Sequence, residues 1–489
     1  MANSVDAAGL PTELGALDYL LHRGEANPRT RSGIMGLELL DTVPDWGQFR
    51  NLFENASRRA LRLRQKVVVP TLPTAAPRWV VDPDFNLDYH VRRMSVAPPG
   101  TMREVLDLAE IILQAPLDVS RPLWTVTLVE GLAQGRAAVL MHISHAVTDG
   151  VGSTEMFGQL YDLERNPPPK PAPPQPVPED LSPNDLMRDG LNHLPAALIG
   201  GTVHALGGAL SLVGRTLRDP LSAVAGAVGY AVSSSRVMSQ AADPSPLLRR
   251  RSLTSRTEVL DIRLADLHRA AKAGGGSIND AYLAAVSGAL GRYHRALGVP
   301  IATVPMAVPV NLRVDADPAG GNRFTGVNLA APVGVVDPVE RMKRIRAQMT
   351  QRRDEPAMDV LGSVAPVLGL LPGPLLEKVT ESVVGADVQC SNVAFFPGET
   401  YIAGAKVLRH YGIGPLPGVA MMVVLISRSG ECTVTVRYDR AAVRDEKLFA
   451  ACLVQGFDEV LALAGDPVSH CIPASFDYPA PETRTVSSS

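Results

Sequence analysis

The ten residues MHISHAVTDG, Met141 to Gly150, combine two histidines with an aspartate and a closing glycine after an apolar run. An imidazole has an ordinary pKa of about 6.5, so it can accept and return a proton near neutral pH. The spacing predicts His145 as a general base and Asp149 as the residue that holds the local backbone and the ring in place. Gly150 would let the chain approach closely or adopt a positive φ angle. The same spacing also fits a hydrogen-bonded histidine at a strand end, and from spacing alone both interpretations stay open.

Acyl transfer is a reaction that one histidine can support. If the attacking group is the substrate's own hydroxyl, no covalent intermediate with the protein is needed. The chain contains no G-x-S-x-G segment, so a serine hydrolase of the α/β-hydrolase type is not indicated. Strand alternation places His142 on the opposite face of its strand from His145, so His142 is not an alternative base.

Strands and helices alternate in both halves of the chain around this segment. AAVLMHIS, residues 137–144, is typical of a buried strand that ends where His145 begins a turn. LWTVTLVEGL and SGIMGLELLD have the same strand character. In the second half, Ser277 precedes a helical stripe over residues 278–297 and is predicted as its N-cap. The mixture indicates the α/β or α+β class, with two similar layers around a shared cleft.

A proline-rich segment divides the chain. Residues 166–180, NPPPKPAPPQPVPED, favour an extended spacer, because proline fixes φ and has no backbone N–H. At 489 residues the chain is also too long for one ordinary core. The predicted units are an N-terminal half over 1–165, a proline-rich and apolar helical linker over 166–255, a C-terminal half over 256–474 and a flexible tail over 475–489.

Composition and charge limit the classes of function. Apolar residues make up 46% of the chain and charged residues 20%, as in a folded soluble protein. The formal net charge of −3 gives no general attraction for phosphate backbones, so nucleic acid is not an expected partner. The four cysteines lack C-x-x-C spacing, which predicts core thiols and neither a metal site nor a disulfide framework. The N-terminus lacks the features of a secretory signal, so we expect a cytoplasmic protein.

One apolar segment bears on membrane contact. Residues 190–214, GLNHLPAALIGGTVHALGGALSLVG, carry no formal charge over a length that could cross a bilayer. The histidines, proline and glycines within it make it less apolar than a typical membrane-spanning helix, which favours a helical connector on the protein surface. Peripheral contact with the inner membrane or a lipid droplet is the alternative, since an apolar helical face can lie in an interface without crossing it.

Eight segments form an ordered series along the chain. They are LGALDYLLHRGE, PRWVVDPDFNLDYHV, PLDVSRPLWTVTLVEGL, SHAVTDGVG, SINDAYLAAVSGAL, PVNLR, GNRFTGVNLAAPVG and SNVAFFPG. In this order they resemble the bacterial wax ester synthase/diacylglycerol acyltransferase family of the HxxxD acyltransferase superfamily. The resemblance covers nearly the whole chain except the proline-rich spacer and the tail. It implies a two-domain chloramphenicol-acetyltransferase-like fold, that of the CoA-dependent acyltransferases, with an active-site tunnel between the halves.

The resemblance implies specific roles for residues at the site. His145 would be the general base that deprotonates the hydroxyl of an acyl acceptor, which then attacks the thioester of acyl-CoA. Asp149 would be structural. We expect Arg313 to pair with Asp149, because a buried carboxylate needs a cation or several donors; a solvated charge at a strand end is the alternative for Arg313.

Three further residues are placed near the substrates by the same resemblance. Asn279 would donate a hydrogen bond near the thioester oxygen or line the cleft, whereas Asp280 fits ordinary first-turn chemistry better. Trp124 would be a cleft-wall or substrate-positioning residue, with a place in the core as the alternative. Glu25 matches a glutamate of the family's N-terminal helix motif, and an exposed helix-end glutamate is its alternative.

The chain departs from the family pattern at two places. The family usually has two adjacent histidines, and Ser144 stands here in place of the first. The chemistry is expected to survive, but the serine could change how His145 is oriented or which acceptor fits. The second departure is NVAFFPG, in which Phe395 and Phe396 either reshape a substrate channel or fill core.

The predicted function is that of an acyl-CoA-dependent O-acyltransferase that forms triacylglycerol or wax esters from diacylglycerol or a long-chain alcohol. Acyl-CoA is a substrate in this scheme, and no cofactor or metal is expected. Two alternatives remain: a condensation-type transferase that uses acyl groups bound to a carrier protein, and a lipid-binding paralogue that has lost turnover.

Overall fold

The structure is a computed structural model that describes residues 11–147, 158, 160–168, 171–192, 241–311, 324–353, 385–395, 398–465 and 470–474. Several predicted features lie outside these residues. They are Asp149, Gly150, Arg313, Phe396, most of the apolar segment 190–214 and the tail 475–489.

Helices and strands alternate along the described chain. The helices are α1 (Ala16–Gly24), α2 (Trp46–Arg59), α3 (Leu87–His90), α4 (Met102–Gln114), α5 (Pro183–Asn192), α6 (Leu264–Ala273), α7 (Ile278–Ala296), α8 (Pro338–Arg353) and α9 (Glu446–Leu461). The strands are β1 (Gly33–Leu40), β2 (Gln65–Val68), β3 (Arg78–Val81), β4 (Val91–Ser95), β5 (Trp124–Glu130), β6 (Ala137–Ser144), β7 (Ser255–Arg263), β8 (Val304–Asn311), β9 (Phe324–Ala331), β10 (Val388–Ala394), β11 (Tyr401–Ile402), β12 (Ala405–Ile413), β13 (Met421–Arg428), β14 (Glu431–Asp439) and β15 (Ile472–Pro473).

The first sheet has the strand order β11-β12-β1-β6-β5-β4. Neighbouring strands are antiparallel except β4 and β5, which are parallel. β6 lies between β1 and β5, and all of its residues are buried. A strand that is covered on both faces carries apolar side chains on both, which explains the nearly continuous apolar run AAVLMHIS.

The two faces of β6 enter different cores. Met141 and Ile143 belong to a core that also contains Trp124 and side chains of α2. Ala138 and Leu140 belong to a core on the other face, together with side chains of α4. Odd-numbered and even-numbered residues of β6 therefore face different cores, as the period-2 alternation of a strand requires.

The second sheet has the order β15-β7-β14-β13-β10-β8-β9, and β10 is parallel to both of its neighbours. α7 packs against α6, α8 and α9, and every residue from Asp280 to Gly291 is buried. The apolar surface of α7 therefore surrounds the helix, which is wider than the stripe expected from the sequence. Its N-terminus is a capping box, in which Ser277 Oγ accepts from Asp280 N at 3.2 Å and Asp280 Oδ2 accepts from Ser277 N at 2.7 Å. The predicted N-cap and the first-turn role of Asp280 are confirmed.

β12 and α4 join the two sheets. β12 follows β10 in the chain but lies beside β1 in the first sheet, and it also packs against β13 and β14. α4 packs against β1, β6 and β7. Within this contact the buried Glu110 pairs with Arg437 at 3.1 Å and accepts from Ser255 Oγ at 2.6 Å, which offsets the cost of burying its charge. The two halves of the sequence are thus interlocked, and the predicted domain limits stay a prediction.

The mixed class and the principal elements are confirmed. AAVLMHIS coincides with β6, and the helix predicted over residues 278–297 is α7. LWTVTLVEGL and SGIMGLELLD contain β5 and β1. These elements were predictable because their periodicity and caps are local properties of the sequence.

Candidate functional site

His145 follows the last residue of β6, in the turn formed by residues 145–147, and is half-buried. The turn is closed by a hydrogen bond from Val147 N to the carbonyl of Ser144, at 3.0 Å. Gly33 is the partner of Ser144 in the neighbouring strand β1, so His145 begins where the strand pairing stops. The structure therefore confirms that an imidazole lies at the end of an interior strand.

His142 occupies a different environment from His145. It is 2% exposed, and burial lowers its pKa to about 3, with the charges of Arg437 and Arg31 acting in the same direction. A neutral imidazole that is closed off from solvent cannot exchange protons with a substrate. This agrees with the prediction that His142 does not replace His145.

Ser144, where the family resemblance implies a histidine, is fully buried. Its Oγ donates to Glu25 Oε1 at 2.7 Å and accepts from Ala146 N at 3.2 Å. Serine hydroxyls form such local bonds to the backbone at the ends of strands and helices. The side chain of Ser144 thus connects the residue after His145 with a carboxyl group of a distant segment.

Glu25, directly after α1, is 1% exposed, so the alternative of an exposed helix-end glutamate is wrong. Its Oε1 also accepts from Ser32 Oγ at 3.4 Å, while its Oε2 has no hydrogen-bond partner in the described structure. Burial raises the pKa of Glu25, against the hydrogen bond from Ser144 and the charge of Arg31, which lower it. The structure therefore brings Glu25 and Ser144 together, although the sequence offered only a family motif for the former.

Trp124 is 3% exposed and lies in the core beneath the first sheet. Its indole Nε1 donates to the carbonyl of Leu63 at 2.7 Å, and its own carbonyl bonds to His90 Nδ1 at 2.7 Å. The His90 ring stacks on the indole at 4.5 Å between centroids. These contacts favour the core alternative for Trp124, and its contact with substrate stays a prediction.

His90 is a buried residue that sequence reasoning did not single out. Burial lowers its pKa to about 4, so the ring is neutral near pH 7. Because a carbonyl can only accept, Nδ1 carries the hydrogen and donates it to Trp124. The position of His90 within PRWVVDPDFNLDYHV, one of the segments with the family resemblance, was the available signal.

Asn279 lies in the first turn of α7 and is half-buried. Its Oδ1 accepts from Asn392 Nδ2 of β10 at 3.5 Å. This places Asn279 beside the second sheet, at the end of α7 that the capping box defines. The described contacts leave its role toward a thioester oxygen a prediction.

Phe395 stacks on the ring of His410 at 4.2 Å and meets the ring of Tyr161 edge-on at 5.8 Å. It packs against cores of both sheets, so the core interpretation is favoured for this residue. Beneath it, Glu38 Oε1 bonds to His410 Nδ1 at 2.6 Å and to the hydroxyl of Tyr161. Sequence reasoning missed this group, although a glutamate within the apolar strand GIMGLELL was a usable signal.

The four cysteines lie in the second half of the chain, where the sequence predicts core thiols. All four cysteines, Cys390, Cys432, Cys452 and Cys471, are unpaired and buried, which confirms the prediction of core thiols.

In the part of the chain that the structure describes, His, Cys, Asp and Glu side chains form no group of three or more that could bind a metal ion. Among the same residues, no helix combines the length and apolar character that crossing a membrane requires.

Comparison with protein-family models gives two matches. The wax ester synthase/diacylglycerol acyltransferase catalytic domain matches residues 3–282, and the WS/DGAT C-terminal domain matches residues 320–461. A Mycobacterium tuberculosis H37Rv protein named "Putative diacyglycerol O-acyltransferase Rv2484c" is 73% identical over 477 residues, which cover 98% of this chain and 97% of that protein. A second protein of the same strain, "Putative diacyglycerol O-acyltransferase Rv3087", is 29% identical and covers 92% of this chain and 96% of its own.

Solved structures show the same fold at low identity. The wax ester synthase/diacylglycerol acyltransferase from Marinobacter aquaeolei VT8 has a TM-score of 0.61 and 20% identity, covering 93% of this chain and all of that chain. The first condensation domain of the calcium-dependent antibiotic synthetase has a TM-score of 0.57 and 16% identity, covering 94% and 97%. Both likenesses confirm the predicted two-domain fold class and concern the fold alone.

Proposed function

Because the chain belongs to the wax ester synthase/diacylglycerol acyltransferase family and is an O-acyltransferase, we propose that it moves an acyl group from acyl-CoA to a lipid hydroxyl, with His145 as the general base. The acceptor is diacylglycerol or a long-chain alcohol. The observation that supports this role is the position of a half-buried imidazole directly after an interior strand, in a turn held by a buried serine.

The proposed reaction makes one ester and one thiol. The acceptor oxygen bonds to the thioester carbonyl carbon while His145 takes the hydroxyl proton. The tetrahedral intermediate collapses with cleavage of the C–S bond, and the imidazolium returns the proton to the sulfur of CoA. Donors aimed at the developing oxyanion would lower the barrier further, and Asn279 is our candidate for one of them.

Substrate affinity in this scheme comes mainly from hydrocarbon. Each buried CH₂ group contributes about 0.8 kcal/mol, so long acyl and alcohol chains bind well without many polar contacts. An active-site tunnel between the halves, with the adenine and phosphates of CoA at its mouth, is the arrangement that we propose for both substrates.

The decisive variant is His145→Ala. We expect its rate of CoA release with acyl-CoA and a long-chain alcohol to fall by about 10²- to 10⁴-fold, the usual contribution of a general base. The measurement is thiol release together with separation of radiolabelled ester products, using a panel of alcohols and diacylglycerols. His268→Ala is the matched control, because His268 is exposed on α6 and should not affect the rate.

The same assay decides between the alternatives. Equal, slow CoA release by the wild type and His145→Ala would contradict catalysis and favour a lipid-binding protein. Ester formation from acyl carrier protein but not from acyl-CoA would favour a condensation-type transferase, whose fold the antibiotic synthetase domain shares.

We also propose that the protein contacts a membrane or lipid-droplet surface from the cytoplasmic side. Its substrates reside there, and the sequence carries the apolar segment 190–214. Removal of residues 195–214 should abolish co-flotation with phospholipid vesicles while activity on a detergent-solubilised alcohol persists. Unchanged flotation of the shortened protein would contradict this proposal.

A further inference from the structure

The turn at His145 is tied to the end of α1 through a single hydroxyl group. Ser144 Oγ donates to Glu25 Oε1 at 2.7 Å and accepts from Ala146 N at 3.2 Å. It thereby links the residue before His145 to the residue after it. Because Ser144 is fully buried and Glu25 is 1% exposed, water does not compete for these bonds.

Glu25 is itself held by the turn that follows α1. Arg31 Nε donates to the backbone carbonyl of Glu25 at 3.2 Å, and Ser32 Oγ contacts Glu25 Oε1 at 3.4 Å. A Cβ atom at Gly24 would lie 2.9 Å from the carbonyl oxygen of Thr30, so the chain is closely packed on this side. The carboxyl group therefore offers Ser144 a fixed acceptor.

We propose that Glu25 is a positioning residue, which acts through Ser144 to hold the turn at His145 in the conformation that takes the proton from the acceptor hydroxyl. This inference rests on the proposed role of His145. A displacement of about 1 Å at a reacting group can cost about a hundredfold in rate, so a fixed turn has a direct kinetic effect. Neither Glu25 nor Ser144 has to touch the substrate for this purpose.

The chemistry of serine suits this arrangement. A hydroxyl donates one hydrogen bond while it accepts another, and here both are made by one atom close to the backbone. Glu25 and Ala146 N supply the two partners. The serine that replaces the family's first histidine is thus integrated into the site, and its partner is a residue of the N-terminal helix segment.

Burial, which raises the pKa of Glu25, favours its neutral form. In either protonation state the carboxyl group keeps an oxygen that accepts from Ser144, and the glutamine side chain has a carbonyl oxygen at the same place. Glu25→Gln should therefore preserve the hydrogen bond that Glu25→Ala removes.

The test compares Ser144→Ala, Glu25→Ala, Glu25→Gln and the Ser144→Ala/Glu25→Ala double variant. We expect kcat to fall about tenfold to a hundredfold in both single alanine variants, with KM changed by less than about twofold. The double variant should be no worse than the poorer single variant, because all three lack the same hydrogen bond. Glu25→Gln should retain kcat within about threefold, and Ser32→Ala, which removes only the longer contact, is the matched control.

Three results would overturn the proposal. The first is a kcat for Ser144→Ala within about twofold of wild type. The second is a double variant whose fall in kcat is the product of the two single falls, and the third is a fall in kcat for Glu25→Gln equal to that for Glu25→Ala. Thermal unfolding of each variant separates a loss of folded protein from a loss of rate. If Glu25→Ala does not fold, Ser144→Ala in the Glu25→Gln background decides instead, and full activity there contradicts positioning. An inactive His145→Ala with a fully active Ser144→Ala leaves the proposed function intact and removes only this inference.

Discussion

The region around the first sheet and the region around α7 differ in the kind of buried polar group that lacks a hydrogen-bond partner. Among the described residues, the buried carboxylate and imidazole atoms without a hydrogen-bond partner all belong to the first region. They are His22 Nδ1, Glu25 Oε2, Glu38 Oε2, His90 Nε2 and His142 Nε2. In the second region the atoms without a partner belong to hydroxyl and guanidinium groups, including Tyr282 Oη and Arg292 Nε of α7, and apolar side chains of the second sheet, α6, α8 and α9 surround the helix.

Imidazole and carboxyl groups can gain or lose a proton near neutral pH when burial shifts their pKa, whereas tyrosine, threonine and arginine side chains keep one protonation state there. A buried polar atom without a partner costs free energy, on the order of 1–3 kcal/mol. We therefore expect substitutions in the second region to change stability, and substitutions near β6 to change rate and the response to acid.

Phe449→Ala tests the second region and should have the largest effect on stability. Phe449 is fully buried in α9 and packs edge-on against Tyr293 and Tyr438, with centroids 5.3 and 5.2 Å away. Its truncation should lower the free energy of unfolding by about 3–5 kcal/mol, measured by urea denaturation. The value of kcat per folded molecule should stay unchanged.

Phe449→Leu is the control, with a smaller loss of stability because it leaves a smaller cavity. A large fall in kcat for Phe449→Ala, at a temperature where the variant is folded, would break the distinction between the two regions.

For the buried histidines of the first region, we expect a smaller effect on the free energy of unfolding, and one that depends on pH. Burial lowers the pKa of His142 from 6.5 to about 3, and that of His22 and His90 to about 4. Below pH 6.5 the unfolded chain binds protons that the folded chain does not, so the free energy of unfolding falls as the pH drops toward 4. Each histidine contributes up to about 1.4 kcal/mol per pH unit in this window.

His142→Gln should make this fall shallower by up to about 1.4 kcal/mol per pH unit, measured by urea denaturation at several values between pH 4 and 7. His268→Gln, at an exposed position, should leave the slope unchanged. An identical slope in His142→Gln and the wild type would contradict the assignment of a buried neutral ring to His142.

Local patterns predicted the parts of the fold that depend on neighbouring residues. The apolar run before His145 marked the end of β6, and Ser277 marked the start of α7. Neither β12 nor its place in the first sheet was predicted, and strand alternation alone would fit either sheet. Strand partners depend on the packing of the whole chain, and no local signal distinguishes them.

In the candidate site, too, some features were predicted from the sequence and others depend on the packing of the whole chain. The chemistry of His145 follows from its residue type and its place at a strand end, and the family resemblance supplied its role. Trp124 had two open interpretations, and its contacts with Leu63 and His90 favour the core. The pairing of Asp149 with Arg313 stays a prediction.

The sequence by itself determined that an imidazole follows an interior strand, because a strand and its end are set by side chains within a few residues. Only the tertiary structure decided that Ser144 meets Glu25, which lies 119 residues away in the chain. A hydrogen bond over that separation depends on how α1 and β6 are brought together by the core that both elements share. No periodicity or cap in either segment specifies that contact.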